Sequence, residues 1–196
     1  MKGAAQPPPH GWRYEESFLA AREEAQLLDQ IASLPFHEAP YREWTAKRRI
    51  VSYGGRYDFG RHELAPAPPI PDFLHALRER VAAWSALAPE QLTHATITEY
   101  RPRTQLGWHR DVPEFEEVTG VSLLGFARMR FRPYPPEKGQ RSVFSLALAP
   151  RSVYLMSGAV RWRWQHAISP TTELRYSITF RSRRAVAAGP RSVFGA

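Results

Sequence analysis

The stretch ELRYSITFR, residues 173–181, decides the fold. Successive side chains of an extended chain point to opposite faces, so Leu174, Tyr176, Ile178 and Phe180 share one face. Arg175, Ser177, Thr179 and Arg181 share the other. The same short, β-branched or aromatic runs recur upstream from Thr93, as HATITEY (94–100), LGWHRD (106–111) and GFARMRFRP (125–133). SVFSLALA (142–149), SVYLMSG (152–158) and RWQHAI (163–168) continue the series. Pro, Gly and charged turns separate the runs, and no helical period intervenes. Many short strands in succession predict an all-β body of sandwich or barrel type.

Ahead of this body the period is helical. Leu27, Leu28, Ile31 and Leu34 predict a helix over Leu19–Leu34, which Pro35 closes. A second helix carries Leu74, Leu77, Val81 and Trp84 on one stripe, after the Pro-rich connector APAPPIP (65–71). Between the helices, RRIVSYGGRYDFG (48–60) reads as two short strands around Gly54-Gly55. Residues 1–11 read as a loose Pro-rich arm, 12–184 as one domain with its β body over 93–182, and 185–196 as a basic tail.

The chain has 196 residues, long enough for one domain with a core that needs no covalent staples. It has no cysteine, which excludes disulfides, zinc ribbons, iron–sulfur clusters and cysteine nucleophiles. Any metal must then be held by His, Asp or Glu. The formal charge of +8 favours a polyanionic partner, nucleic acid first, although a compositional preference for arginine produces the same excess. The N-terminal residues contain no apolar signal-peptide core, and no apolar run approaches the ~18 residues of a membrane span. A cytoplasmic monomer without membrane contact is expected.

His109 and Asp111 stand two apart in an extended segment and so share a face. His166, on a later strand, supplies a third donor, and two imidazoles with one carboxylate are the facial triad of non-haem Fe(II) oxygenases. His10, His37, His62, His75 and His94 have no comparable spacing and read as ordinary polar residues. Arg175 and Arg181 lie six residues apart, roughly 20 Å along an ideal strand. Leaning side chains on a curved strand close that to the span of a short dicarboxylate, which a guanidinium fork meets bidentately.

His109-x-Asp111, His166 and Arg175-x5-Arg181 together resemble the AlkB family of Fe(II)/2-oxoglutarate dioxygenases, over about Arg48 to Arg181. The resemblance implies a double-stranded β-helix, or jelly roll, with flanking N-terminal helices, and Fe(II), 2-oxoglutarate and dioxygen as reaction partners. It implies that His109, Asp111 and His166 hold iron. Arg175 then meets the distal carboxylate of 2-oxoglutarate and Arg181 the carboxylate beside the keto group, with Tyr100 hydrogen-bonding the co-substrate. Thr98 stands where the family commonly has Asn, as does Ser177 between the arginines. Both are counted with the co-substrate site.

On the substrate side, Tyr57 and Phe59 resemble the family's nucleotide-recognition lid, assigned to 48–64. Tyr53 belongs either to that lid or to the core. Pro113 occupies a position that is acidic in repair members, with Glu114 next to it as a substitute; Arg110 is the other candidate at the substrate. Arg128, Arg130 and Arg132 put three cations on one strand face, either a phosphate track or a solvated outer surface. The resemblance implies oxidative demethylation of N-alkylated bases in DNA or RNA. A protein or small-molecule oxygenase of the same fold, and a non-catalytic nucleic-acid-binding module, are the other readings.

Overall fold

The structure is a computed structural model that describes residues 8–41, 44–58, 63–138 and 144–184. Strand β1 (Trp12–Glu15) leads into helix α1 (Ala21–Ile31), followed by β2 (His37–Tyr41), β3 (Trp44–Tyr53), β4 (Arg56–Asp58) and β5 (Glu63–Ala65). Helix α2 (His75–Ser85) precedes β6 (Leu92–Tyr100), β7 (Leu106–His109), β8 (Phe115–Leu124) and β9 (Ala127–Pro133). The chain ends with β10 (Phe144–Leu148), β11 (Val153–Met156), helix α3 (Gly158–Trp162), β12 (Trp164–Ile168) and β13 (Arg175–Arg183).

Seven strands form a major sheet in the order β1-β11-β8-β13-β6-β3-β2, and four form a minor sheet, β10-β9-β12-β7. Every pairing is antiparallel, and the two sheets make a jelly roll, the fold that the family resemblance implies and one of the sandwich forms the strand pattern allows. The central strand β13 is buried on both faces. Ile178 and Phe180 join Ile97, Ala95, Val51 and Val121 beneath Leu27 and Ile31 of α1 and Leu77 and Val81 of α2. Each fully buried Leu or Ile there contributes about 1.5–3 kcal/mol. The opposite face of β13 is polar yet equally covered, with Arg175, Ser177 and Thr179 all buried.

Helix α1 is shorter than its apolar pattern because Phe18 and Leu19, before it, enter the core as loop residues. At its start the Ala20 N–H donates to Glu23 at 2.7 Å, and Glu24 reaches across to accept the Leu124 N–H at 2.8 Å. The second stripe is as expected, with Leu74, Leu77 and Val81 buried.

Strands do flank Gly54-Gly55, as expected, but each pairs elsewhere. Strand β3 joins the major sheet beside β6, with Val51 opposite Ile97 and Tyr53 opposite Ala95, whereas β4 pairs with β5. The chain turns between them at Gly54, φ 75°, where a Cβ would lie 2.0 Å from the Thr93 carbonyl oxygen. The proposed lid segment therefore contains core strand up to Tyr53, and only the β4–β5 ribbon stands apart from the major sheet. The N-terminal arm is anchored in its last residues. The Ser157 N–H donates to the Gly11 carbonyl and the Val160 N–H to that of His10, both at 3.0 Å. Residues 185–196 of the expected tail lie outside the described residues.

Strand β8 was not anticipated. Glu116, Glu117 and Gly120 break its apolar pattern, yet it sits between β11 and β13 in the major sheet. Gly120 is required there by its cross-strand neighbour, because a Cβ would lie 2.3 Å from the ring of Tyr154.

Candidate metal and co-substrate site

Strands β7 and β12 pair so that His109 and His166 stand directly opposite, their ring centroids 4.2 Å apart. Asp111 follows His109 by two residues. One ligand atom from each of these three side chains can be chosen so that all lie within 4.8 Å of one another. The His109 Nδ1 lies 2.9 Å from the Gly107 carbonyl, which can only accept, so that nitrogen carries the proton and leaves Nε2 as the donor atom. Asp111 Oδ1 accepts from Arg181 Nε at 3.0 Å, while its buried Oδ2 has no hydrogen-bond partner and lies 3.5 Å from His166 Nε2.

Burial pushes His166 down to about 3, helped by the neighbouring His109, and lowers His109 as well. Burial alone would raise Asp111, but Arg181 and the two histidines outweigh it and hold the carboxyl below the usual range. Neutral imidazoles beside an ionised carboxylate with one unpartnered oxygen are a donor set for a divalent cation. The residues fit Fe(II).

On the major sheet, the β6–β13–β8 face that carries Arg181 also carries a buried cationic pocket. Arg175, only 1% exposed, donates from Nε and Nη2 to the Ser122 hydroxyl at 3.1 and 2.7 Å, and its guanidinium lies 5.0 Å from the Tyr100 ring centroid. None of the described ion pairs includes it. Burial lowers its pKa, with Tyr100 and Tyr154 opposing. A buried guanidinium facing only neutral groups is costly, and an incoming carboxylate would offset that cost. Tyr100 stands opposite Arg175 across the β6–β13 ladder and Thr98 opposite Ser177, so these candidates share one buried face. Arg181 is committed to Asp111 and to the Thr96 hydroxyl, 3.1 Å from Nη1, and so ties the co-substrate face to the metal ligands.

Three contributors escaped the sequence reading. Ser122 lies on the unread strand β8. Tyr154 on β11 looked like an ordinary strand aromatic. It is buried beside Gly120, stacked on Trp12 at 5.3 Å, and burial pushes its hydroxyl up to about 12. Arg161 on α3 is 3% exposed and donates through Nη2 to the carbonyls of Val112 and Phe115, both at 2.7 Å. It thereby clamps the loop that follows Asp111. A strongly polar residue inside the otherwise apolar GAVRW run was the available signal.

The substrate-side candidates divide. Tyr53 is a correction: it is buried in the helix-side core and does not face the site. Tyr57 lies on β4, its side chain outside the described part, and Phe59 lies outside the described residues. Glu114 keeps a buried Oε2 without a partner. Arg110, exposed between the two ligands, donates to the Trp162 carbonyl at 3.1 Å and lies over the Tyr134 ring at 3.7 Å. His94, read as ordinary, is buried edge-on to Phe115, and burial pushes it down to about 4. With Gly54, Gly55, Thr93 and Arg183 it lines a cavity of about 250 Å³.

A jelly roll that brings together two imidazoles, one carboxylate and a buried arginine with no carboxylate partner among the described residues fits a metal-dependent oxygenase with an acidic co-substrate. Residues 12–181 match the 2OG-Fe(II) oxygenase superfamily, and the chain belongs to that family. It is an AlkB-like dioxygenase, an oxidoreductase that uses Fe(II), 2-oxoglutarate and dioxygen. The chain is 29% identical over 175 residues to the Arabidopsis thaliana "Alkylated DNA repair protein ALKBH8 homolog", covering 77% of this chain and 48% of that protein. It thus spans about half the length of that relative. It is 25% identical over 171 residues to the Danio rerio "Probable RNA/DNA demethylase ALKBH6", covering 82% of this chain and 70% of that one. Among solved structures, that of OsALKBH1 shares the fold with a TM-score of 0.71 at 17% identity, covering 90% of this chain and all of the other.

Proposed function

We propose that this chain oxidatively demethylates N-alkylated bases in nucleic acid. The observation that carries the reading is the coincidence of a complete metal and co-substrate set with matches to proteins described as acting on alkylated DNA or as RNA/DNA demethylases. The charge of +8 agrees with a polyanionic substrate.

In this reading His109, Asp111 and His166 hold the iron. Arg175, supported by Ser122 and Tyr100, receives the distal carboxylate of 2-oxoglutarate; Arg181 lies at the carboxylate beside the keto group. Thr98 and Ser177 line the same face. With iron and co-substrate bound, the site supplies oxidation by dioxygen coupled to decarboxylation of 2-oxoglutarate to succinate and carbon dioxide. One oxygen atom enters succinate and the other the N-methyl group, whose hemiaminal releases formaldehyde and the free base. The surrounding protein orients both partners and excludes water. Tyr57 and Phe59 serve as the lid on which an extruded base stacks, and Glu114 and Arg110 meet the substrate.

Pro113 favours a second reading, because it leaves no acid at the position that meets a base amine in repair members of the family. In that reading the same site oxidises a protein or small molecule. The test is succinate and formaldehyde release with methylated single-stranded DNA and RNA offered side by side. Formaldehyde in step with succinate supports demethylation. Succinate without oligonucleotide-dependent formaldehyde overturns it.

A further inference from the structure

Strand β9 alternates between two environments. Ala127, Met129 and Phe131 point into the core of the jelly roll, and Arg128, Arg130 and Arg132 lie on the outer face of the minor sheet. Side chains two residues apart on a strand repeat about every 6.6 Å, so the three cations form a row. Their partners among the described residues are neutral. Arg128 reaches the Ser145 hydroxyl at 3.5 Å, Arg132 donates to Gln165 Oε1 at 2.8 Å, and Arg130 and Arg132 lie over the Trp108 ring at 5.0 and 4.6 Å. Other arginines are treated differently. Arg49 and Arg101 meet Glu99, Arg80 meets Glu23, Arg151 meets Glu24 and Arg184 meets Glu116. Among the described residues, none of the ion pairs includes Arg128, Arg130 or Arg132.

The row has a direction. Past Pro133 the chain reaches Tyr134, which is 42% exposed and carries the Arg110 guanidinium on its ring. Arg110 is also without an ion pair among the described residues, and it sits between His109 and Asp111. The face is built on the backs of the metal ligands: Trp108 precedes His109, Gln165 precedes His166, and His166 pairs with Phe131 between the two inner arginines. Unpaired cations in line repel one another, and a chain of anions laid along them relieves that repulsion.

We propose that Arg128, Arg130 and Arg132, continued by Arg110, form a track for the phosphate backbone of a single-stranded nucleic acid and lead it to the rim of the metal site. This rests on the nucleic-acid reading above. A flexible strand can follow the row and bend over the Tyr134–Arg110 stack, which presents one of its bases at the mouth. Trp108 under Arg130 and Arg132, and Tyr134 under Arg110, hold those guanidiniums in place, so less side-chain freedom is lost when phosphates arrive.

The test is affinity for an unmethylated single-stranded oligonucleotide across a salt series, for wild type and for Arg128→Gln/Arg130→Gln/Arg132→Gln. Arg13→Gln/Arg22→Gln/Arg103→Gln, on β1, α1 and the β6–β7 loop, is the charge-matched control. Each neutralised phosphate of a single strand contributes about 0.7 to the slope of log affinity against log salt, so the track variant should lose about 2 units of slope. Its affinity at low salt should fall at least about tenfold, the control should stay near wild type, and 2-oxoglutarate turnover without oligonucleotide should be unchanged in all three. Wild-type binding with the same slope in the track variant, or equal losses in the control, overturns the track and leaves the nucleic-acid reading standing. Wild type that ignores oligonucleotides but binds poly-glutamate or phosphatidylserine vesicles overturns both.

Discussion

The two faces of the major sheet are equally buried and made of opposite materials. The helix side carries Val51, Ala95, Ile97, Val121, Leu123, Ile178 and Phe180, and burial is their contribution to the protein. The cavity side carries Thr98, Tyr100, Ser122, Arg175, Ser177 and Thr179, all buried. Apolar burial stabilises at about 25 cal/mol per Å², whereas a buried polar group without full partners costs free energy. The helix side holds the sheet together, and the cavity side spends part of that stability on a site. Substitutions on the two faces should therefore fail in different measurements.

The largest effect belongs to the metal ligands, where Asp111, just after β7 of the minor sheet, meets Arg181 of the major sheet. Asp111→Ala should abolish turnover and iron retention, because two imidazoles hold the cation poorly, while the jelly roll remains folded by circular dichroism. An Asp111→Ala protein with near-normal turnover at limiting iron would break the contrast at its strongest point. Next comes Arg175→Lys, which keeps the charge but loses the fork. The apparent affinity for 2-oxoglutarate should fall by about 1.5–3 kcal/mol, roughly ten- to a hundredfold, with Arg103→Lys as the unaffected control. Binding is best followed by calorimetry under anaerobic conditions.

On the helix side, Ile31→Ala should lower unfolding free energy by about 2–5 kcal/mol, read by urea denaturation. The KM for 2-oxoglutarate should stay where it was. A shift in KM comparable with that of Arg175→Lys would show that the two faces are not separable.

The smallest effect comes from the polar exception on the helix side. Glu99 is 5% exposed and accepts from Arg49 at 2.9 and 2.7 Å and from Arg101 at 2.9 Å. The Arg49 hydrogen bonds hold its carboxyl below the ordinary 4.5 against the opposing effect of burial. A depressed native pKa contributes stability that is fully present above the unfolded value and is lost as pH falls through the native one. Thermal unfolding between pH 6 and 3 should thus show a steeper acid loss in wild type than in Glu99→Gln. Parallel curves would mean that the pair contributes nothing.

Period-2 alternation was enough to read β13, because both of its faces carry a consistent chemistry. It also put His109 and Asp111 on one side of a chain and made His166 a partner. What alternation cannot report is register across strands. Tyr53 was ambiguous until β3 was seen beside β6, where its position opposite Ala95 puts it under the helices. Gly120 and Tyr154 look unremarkable alone and make sense only as a facing pair, the glycine leaving room for the ring. Arg161 shows the same limit, since its acceptors Val112 and Phe115 lie more than forty residues away in the chain. Arg128, Arg130 and Arg132 were visible as a charged face. That none of the described carboxylates pairs with them was not.

The ligand triad of His109, Asp111 and His166 and the polar face of the major sheet together hold one iron and one 2-oxoglutarate. This assignment is tested most directly by adding Fe(II) back to metal-stripped protein in air and measuring succinate release from 2-oxoglutarate. No release is expected without iron, and the rate should rise to a plateau at one iron per chain. Release that is independent of iron, or no release at any loading with the chain folded, would contradict the assignment.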